Sequence, residues 1–386
     1  MQSSATAPPA PATTCPYAAP AAAAPRVLRT VGSLPGPRAW PLLGNLPQMR
    51  PERMHRDVEG WCRRHGPLFR IQFGRRPVLV VARHETVHAI LRDRPDGFRR
   101  PAVTAQVSEE MGGLPGVFLS EGQAWRDQRR MVMAGFAPHA VKAYFPALVT
   151  VVLRLRERWL RAADAGQAIE LADDLKRYTV DIIAGLAFGS EVNTIDGGED
   201  VIQRHLDLIM PAVARRSVAL IPYWRWFKLP ADRRLDRSLA AVRGAVDGLI
   251  AAARQRMAAD PRRSERPPNL LEAMLAAAAQ GDSGVDHDAV AGNVSTMLLA
   301  GEDTTANTLA WLLYLLQRHP EALRLARDEV RRLAPDPASY TIGQMDALDY
   351  LDACAQEAMR LKPVVPFMPF EALRDTVVED VLLPKG

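Results

Sequence analysis

LLAGEDTTANTLAW, residues 298–311, is the stretch whose reading decides the fold. It lies in the longest apolar run of the chain, between VSTMLLA and LAWLLYLL, and its period predicts one helix over 287–318. Its middle, however, reads Gly301-Glu302-Asp303-Thr304-Thr305. Relative to alanine, one Gly, one Asp and two Thr cost roughly 2–3 kcal/mol of helix propensity, and buried polar atoms cost more unless each finds a partner. Thr304 can return its hydroxyl to the carbonyl of Ala300. Ala300 and Gly301 leave the backbone bare enough for a flat ligand. Asp303 beside Thr304 sets an acid and an alcohol at one spot, the minimum equipment for passing protons. A kink padded by small residues, or a polar network between helices, accounts for the same residues equally well. At 1.5 Å per residue the helix spans about 48 Å, so it must run through the middle of its domain.

The rest of the chain supports a mainly α fold with a small β-sheet. PLFRIQFG (67–74) and PVLVVA (77–82) read as a hairpin turned at Gly74-Arg75-Arg76. Helices are expected over 51–65, 84–93, 122–134, 139–163, 168–187, 199–216, 232–258, 268–279, 320–333, 343–347 and 349–361. Breakers such as Pro138, Gly189, Pro230 and Pro320 separate them. The tail DTVVEDVLLPKG (375–386) alternates like a strand, so the sheet draws on both ends of the chain. Residues 1–33 form an Ala/Pro-rich leader expected to be disordered; residues 34–386 form the domain. The leader lacks the basic and unbroken apolar regions of a signal peptide or anchor.

Composition excludes several functions. The chain has 386 residues, 48% of them hydrophobic and 24% charged, with a net charge of +5. Only Lys142, Lys176, Lys228, Lys362 and Lys385 among the 49 basic residues are lysine, and acids are interspersed throughout, so a nucleic-acid partner is not expected. Cys15, Cys62 and Cys354 are odd in number and widely spaced, which predicts neither disulfides nor zinc and places the chain in a reducing, cytoplasmic compartment. Glu302 and Asp303 would each cost several kcal/mol at a bilayer centre, so no membrane anchor is expected.

Other motifs stand in a fixed order around the central helix. A-G-E-D-T-T at 300–305 resembles the central-helix signature of cytochrome P450 monooxygenases. Glu357-Ala358-Met359-Arg360, followed by Leu361-Lys362-Pro363, is similar to that family's E-x-x-R helix, and Trp125 to Arg129 to its W-x-x-x-R helix. LPGP…PLLGN, the hairpin and LLPKG fall in the same order, so the resemblance covers 34–386. E-x-x-R alone carries nothing, since Glu321/Arg324, Glu329/Arg332 and Glu371/Arg374 repeat it. Trp125 and Arg129 at i,i+4 are equally able to stack as a cation–π pair.

The resemblance implies a haem-thiolate monooxygenase holding haem b, drawing electrons from an external ferredoxin- or flavodoxin-type donor and inserting one atom of O2 into a small, apolar organic substrate. Asp303 and Thr304 would then relay protons. Trp125 and Arg129 would hold propionates, with Ala300 and Gly301 against the cofactor. Glu357 and Arg360 would form a buried structural pair. Leu298, Leu299, Val365 and Pro366 are candidate substrate-facing residues, for which a core role fits as well. Glu302 points about 100° away from Asp303 and is expected as a helix-surface pair. Arg126 and Arg130, on another face of their helix, would meet an acidic electron donor. IPYWRWF (221–227), between two helices, is expected to pack as a loop, with a membrane contact or the lining of substrate entry as the alternatives.

The family's cysteine-bearing F-x-x-G-x-R-x-C loop is not in this chain, so no metal ligand is expected from it and the sequence reads as C-terminally incomplete and, as it stands, inactive. The resemblance also implies a basic residue near Phe370 for a propionate; the sequence departs from the pattern there, and that contact is not expected. Alternative functions are a peroxygenase or isomerase on the same scaffold, or a haem-free helical binding protein.

Overall fold

The computed structural model describes residues 27–50, 53–113, 116–190, 192–197, 201–217, 219, 221–280 and 284–386. Cys15 and most of the expected leader lie outside them. In chain order the first elements are β1 (Arg29–Thr30), α1 (Met54–His65), β2 (Leu68–Phe73), β3 (Arg76–Val81), α2 (His84–Arg92), β4 (Phe98–Arg99) and α3 (Ala102–Glu110). Then come α4 (Gly122–Gly135), α5 (Pro138–Asp164), α6 (Leu171–Phe188), α7 (Val201–Ser217), α8 (Pro230–Ala259), α9 (Arg262–Glu265) and α10 (Leu270–Ala278). The last are α11 (His287–Arg318), α12 (Pro320–Leu333), α13 (Ile342–Asp346), α14 (Asp349–Leu361), β5 (Glu371–Ala372), β6 (Thr376–Val378) and β7 (Val381–Leu383).

The chain divides into two compact units, one made of residues up to 88 with 374–385, the other of 89–373 with Gly386. In the first, the β2–β3 hairpin uses both faces. Phe69, Ile71, Phe73, Val78 and Val80 pack on Trp61 and Val58 of α1. Leu68, Leu79 and Val81 pack instead with Val31, Leu34 and Val381. That split is the period-2 alternation of a strand pair. Strand β1 pairs parallel with β7, which pairs antiparallel with β6. Both ends of the chain therefore meet in one sheet, as expected, but among the described residues there are three small sheets rather than one. Residues 29–33, assigned above to the leader, are a strand and a 3-10 turn, because β7 supplies the backbone partners that a free proline-rich segment lacks. The PLLGN turn is anchored by buried Asn45, whose Oδ1 accepts from the backbone N–H of Gln72 at 2.8 Å. Gly44 has φ +63, and a Cβ there would sit 2.3 Å from the Gln72 carbonyl oxygen, so only glycine fits this close approach.

The second unit is helical. α11 occupies the predicted 287–318 and is capped by Asp286, which accepts from the backbone N–H of Ala289 at 2.8 Å. Its first turns, Ala289 to Val294, are buried on every side, which marks it as the core of the unit. Around it Leu271, Met274, Val246, Ile250 and Phe188 complete the main cluster. α3 went unseen in the sequence because only Val107 on it is fully buried, leaving no apolar stripe to read. No helix among the described residues is long and apolar enough to cross a membrane.

One ion cluster stands out in this core. Glu272 is fully buried, and its carboxylate accepts from Arg263, Arg256 and Asn269 at 2.8–3.0 Å. Burial alone would raise its pKa, but the bonds from Arg263, Asn269 and Arg256 overcome this and hold the carboxyl below its ordinary value. Glu272→Leu strands two arginines and should cost about 3–5 kcal/mol, read as a lowered urea midpoint at neutral pH. Because the folded-state pKa is depressed, the wild-type advantage should be present above the ordinary carboxylate pKa and fade as pH falls below it.

Candidate functional site

The polar middle of α11 answers its own hydrogen-bonding problem locally. Thr304 Oγ1 donates to the Ala300 carbonyl at 2.7 Å, as expected. Ser295, Thr296, Asn307 and Thr308 make the same return bond to the carbonyl four residues back. One side of the notch is then met by a stripe of α6. Ile183 occupies the space beyond Gly301, where a Cβ would lie 2.0 Å from its Cδ1. Thr179 Oγ1 approaches the Glu302 carbonyl at 3.1 Å. Lys176 Nζ pairs with Asp303 Oδ1 at 3.1 Å. Residues 176, 179 and 183 follow helical spacing, so one face of α6 engages three successive residues of α11.

Two expectations change here. Gly301 serves the close approach of two helices, and the side on which a flat ligand was expected is filled by Ile183. Glu302 is not on the helix surface: it is 6% exposed, since the turn that points it away from Asp303 points it into the helix contact. Asp303, by contrast, is 52% exposed, Ala300 is exposed, and Thr304 is half-buried. Ala300 and Thr304, at i,i+4, share one face of the helix.

Further along the sequence, α4 is tied to α11 by an amide pair. Asn293, fully buried, donates to Gln128 Oε1 at 3.0 Å and to the Ala289 carbonyl at 2.7 Å, while its Oδ1 accepts from the backbone N–H of Val117 at 2.9 Å. Gln128 is one turn beyond Trp125, so this bond fixes the helix that carries Trp125 and Arg129. Arg129 stacks on the Trp125 ring at 5.4 Å, with the guanidinium exposed. Arg126 pairs with Asp96 at 2.6 Å and Arg130 with Asp127 at 3.5 Å; both arginines are exposed.

The N-terminus of α4 carries a feature that motif reading missed. Arg94 and the backbone N–H of Arg100 both bond Glu121 Oε1, at 3.2 and 3.0 Å. The Arg100 guanidinium lies 3.8 Å over Phe118, and that of Arg94 lies 5.3 Å over Phe370. Arg94 thus brings a cation to Phe370 from a distant part of the sequence. Burial first, and then the charge of Arg94, pull the Arg100 pKa below its ordinary value, with Glu121 opposing. The Nε atoms of both arginines are buried without a hydrogen-bond partner. Two cations with spare donors against one carboxylate form a pocket of positive charge that an anion would relieve. Its signal in the sequence is slight: two arginines before a proline, in Phe98-Arg99-Arg100-Pro101.

The remaining candidates separate. Glu357 and Arg360 form a bidentate pair at 2.7 Å, yet their side chains are 54% and 68% exposed. The expected burial is therefore not found: both project from the outer face of α14, where the i,i+3 spacing alone brings them together. The other E-x-x-R matches differ again. Glu321 and Arg324 repeat the exposed pair, whereas Glu329 accepts the backbone N–H groups of Tyr350 and Leu351 at the start of α14. Leu298 and Leu299 lean on the main core, while Val365 and Pro366 are exposed. Cys354 packs among Leu312, Leu316 and Ala358, and burial raises its thiol pKa. Among the described residues, no group of His, Cys, Asp and Glu is arranged to hold a metal.

These elements recur in known proteins. The family model described as Cytochrome P450 matches residues 34–386. The chain belongs to the cytochrome P450 family. It is 28% identical over 340 residues to the chloroplastic carotene epsilon-monooxygenase of Arabidopsis thaliana, a match covering 83% of this chain and 60% of that protein. A bifunctional cytochrome P450/NADPH–P450 reductase of Bacillus cereus is 25% identical over 359 residues, 91% of this chain and 32% of the relative. A flavonoid 3'-monooxygenase of Oryza sativa is 27% identical over 372 residues, 91% and 69% respectively. The chain thus spans 60% or less of the length of the first two. The P450 fold, mainly helical with small sheets, is the one described above.

The α6–α11 contact has a direct test. Gly301→Ala should destabilise by about 1–3 kcal/mol through overpacking against Ile183. Combining it with Ile183→Ala should cost less than the sum of the two single changes, as measured by a double-mutant cycle in denaturant. Strict additivity would show that the two residues do not compete for one space.

Proposed function

We propose that the complete protein is a haem-thiolate monooxygenase that inserts one atom of O2 into a small, apolar organic substrate, with electrons supplied by a ferredoxin- or flavodoxin-type donor. The observation that carries this reading is the placement of Asp303 and Thr304. Both lie on the solvent-facing side of the α11 notch, while Glu302 beside them is buried.

The residues present suit the acidic edge of haem b. Arg94 and Arg100 offer unpartnered buried donors, and Arg129 with Trp125 adds a cation and an indole N–H one turn into α4. Ala300, small and exposed, leaves room against α11. Bound there, haem would supply the iron at which O2 is reduced. The chain's own part is to deliver protons and shape the cavity. Asp303 reaches solvent and is steadied by Lys176, so its carboxylate can collect a proton and pass it inward. Thr304 Oγ1, anchored to the Ala300 carbonyl, can accept and donate at a fixed point. The half-buried Leu298 and Leu299, with exposed Val365 and Pro366, are the apolar residues we assign to the substrate side. Arg126 and Arg130 remain the basic surface for an electron donor, although Asp96 and Asp127 already neutralise part of their charge. The acid–alcohol pair favours O2 activation over a peroxygenase or isomerase, which have no need of a relay.

In the complete, haem-loaded protein, Thr304→Ala should divert reducing equivalents from product to peroxide, and Thr304→Ser should restore most of the coupling. Asp303→Asn should slow product formation by about a hundredfold. Product formed per NAD(P)H consumed is the measurement, and coupling that is unchanged in Thr304→Ala would overturn the relay.

A further inference from the structure

The second half of α8 and the start of α11 enclose a cleft of about 280 Å³, a little below the usual range of small-molecule sites and suited to a metabolite of amino-acid size. Its floor includes Ile250, which is fully buried, and its walls carry Arg243, Asp247 and Arg254 of α8 with His287 and Asp288 of α11. Residues 243, 247, 250 and 254 recur at helical spacing, so they form one stripe of α8. All five polar side chains are exposed.

Opposite charges in this cleft stay apart. On α12, Arg324 and Asp328 have the same order and i,i+4 spacing as Arg243 and Asp247, and they join at 2.8 Å. Arg243 and Asp247 do not: neither side chain, nor that of Asp288, makes an ion pair or hydrogen bond among the described residues. Arg254 takes no carboxylate either. Its Nη2 donates to His287 Nδ1 at 3.1 Å, and since a guanidinium cannot accept, the ring carries its proton on Nε2. One end of the cleft therefore offers only donors, from Arg254 and His287. Asp247 and Asp288 offer only acceptors. Arg243, one turn before Asp247, offers donors again. Inorganic phosphate would suit the arginines but would face two carboxylates. A metal cation would suit the aspartates, but among the described residues no group of His, Cys, Asp and Glu is arranged to hold one. An ammonium flanked by two anionic groups answers all three zones, each through charge-assisted hydrogen bonds.

We infer that the α8–α11 cleft binds an acidic amino acid, with its ammonium held by Asp247 and Asp288, one carboxylate on Arg254 and His287, and the other on Arg243. Asp288 lies about 24 Å along α11 from Thr304. The ligand is therefore not the substrate of the oxygen chemistry proposed above, and it binds without haem.

Titration of the full chain with L-glutamate, followed by saturation-transfer NMR of the ligand, tests it. Binding should be saturable. Glutarate, which lacks the ammonium, and 4-aminobutyrate, which lacks one carboxylate, should each bind about tenfold more weakly or worse. Arg254→Gln and Asp247→Asn should each lower the affinity for glutamate about tenfold, with far-UV circular dichroism unchanged. Arg237→Gln, exposed on α8 but outside the cleft, should bind as the wild type does. No saturable binding, glutarate binding as tightly as glutamate, or full affinity in either cleft variant would overturn the inference. So would an equal loss in Arg237→Gln, which would mark the effect as one of surface charge alone.

Discussion

The helical unit depends on the seam between α6 and α11. Three residues of one helix meet three of the other in order: Ile183 against Gly301, Thr179 against the Glu302 carbonyl, and Lys176 against Asp303. The first contact is steric, the second a shared hydroxyl proton, the third ionic. Together they fix α11 in both rotation and translation, which decides that Glu302 faces inward and that Asp303, Thr304 and Ala300 face out. A rotation by one residue, about 100°, would bury the wrong acid. The low helix propensity of residues 301–305 is thus the consequence of a helix that must approach its neighbour closely on one side and remain polar on the other.

Much of this was legible from residue order. Long periodic segments such as α11, α12 and α14 were readable to the residue, because apolar spacing, an Asp or Pro at the start and a breaker at the end all agree. The hairpin followed from two short β-prone runs on either side of Gly74-Arg75-Arg76. Thr304's return bond to Ala300 followed from helix geometry alone. What could not be read depends on partners distant in sequence. Strand β1 owes its form to β7, more than 350 residues away. The direction of Glu302 is set by α6. The exposure of Glu357 and Arg360 is a fact of packing, to which an i,i+3 pattern is blind.

The charge cluster at the start of α4 shows another limit. Nothing in the order of Arg94, Arg100, Phe118 and Glu121 announces a site, and each alone reads as a surface group. Only their convergence, with two buried Nε donors left over, gives them meaning. Motif reading found the tryptophan and arginine inside α4 because their i,i+4 spacing is local, and missed the two arginines gathered on Glu121 at its start. The unused donors matter more to the cofactor proposal than the familiar motif, since they are buried without a partner whereas the Arg129 guanidinium is exposed to water.

Asn293 deserves a last consequence. Its amide bonds Gln128 on one helix, the backbone of Val117 on a loop and the Ala289 carbonyl on its own helix, so three separately wandering pieces of chain share a single fixed origin. Leucine would match its volume but orphan the loop amide and the glutamine together. Laboratory evolution of this scaffold toward new chemistry should therefore find latitude at residues 298 and 299, where only shape is at stake, and almost none at 293. There, one small side chain serves as the surveyor's benchmark for the α4, α11 and loop backbones alike.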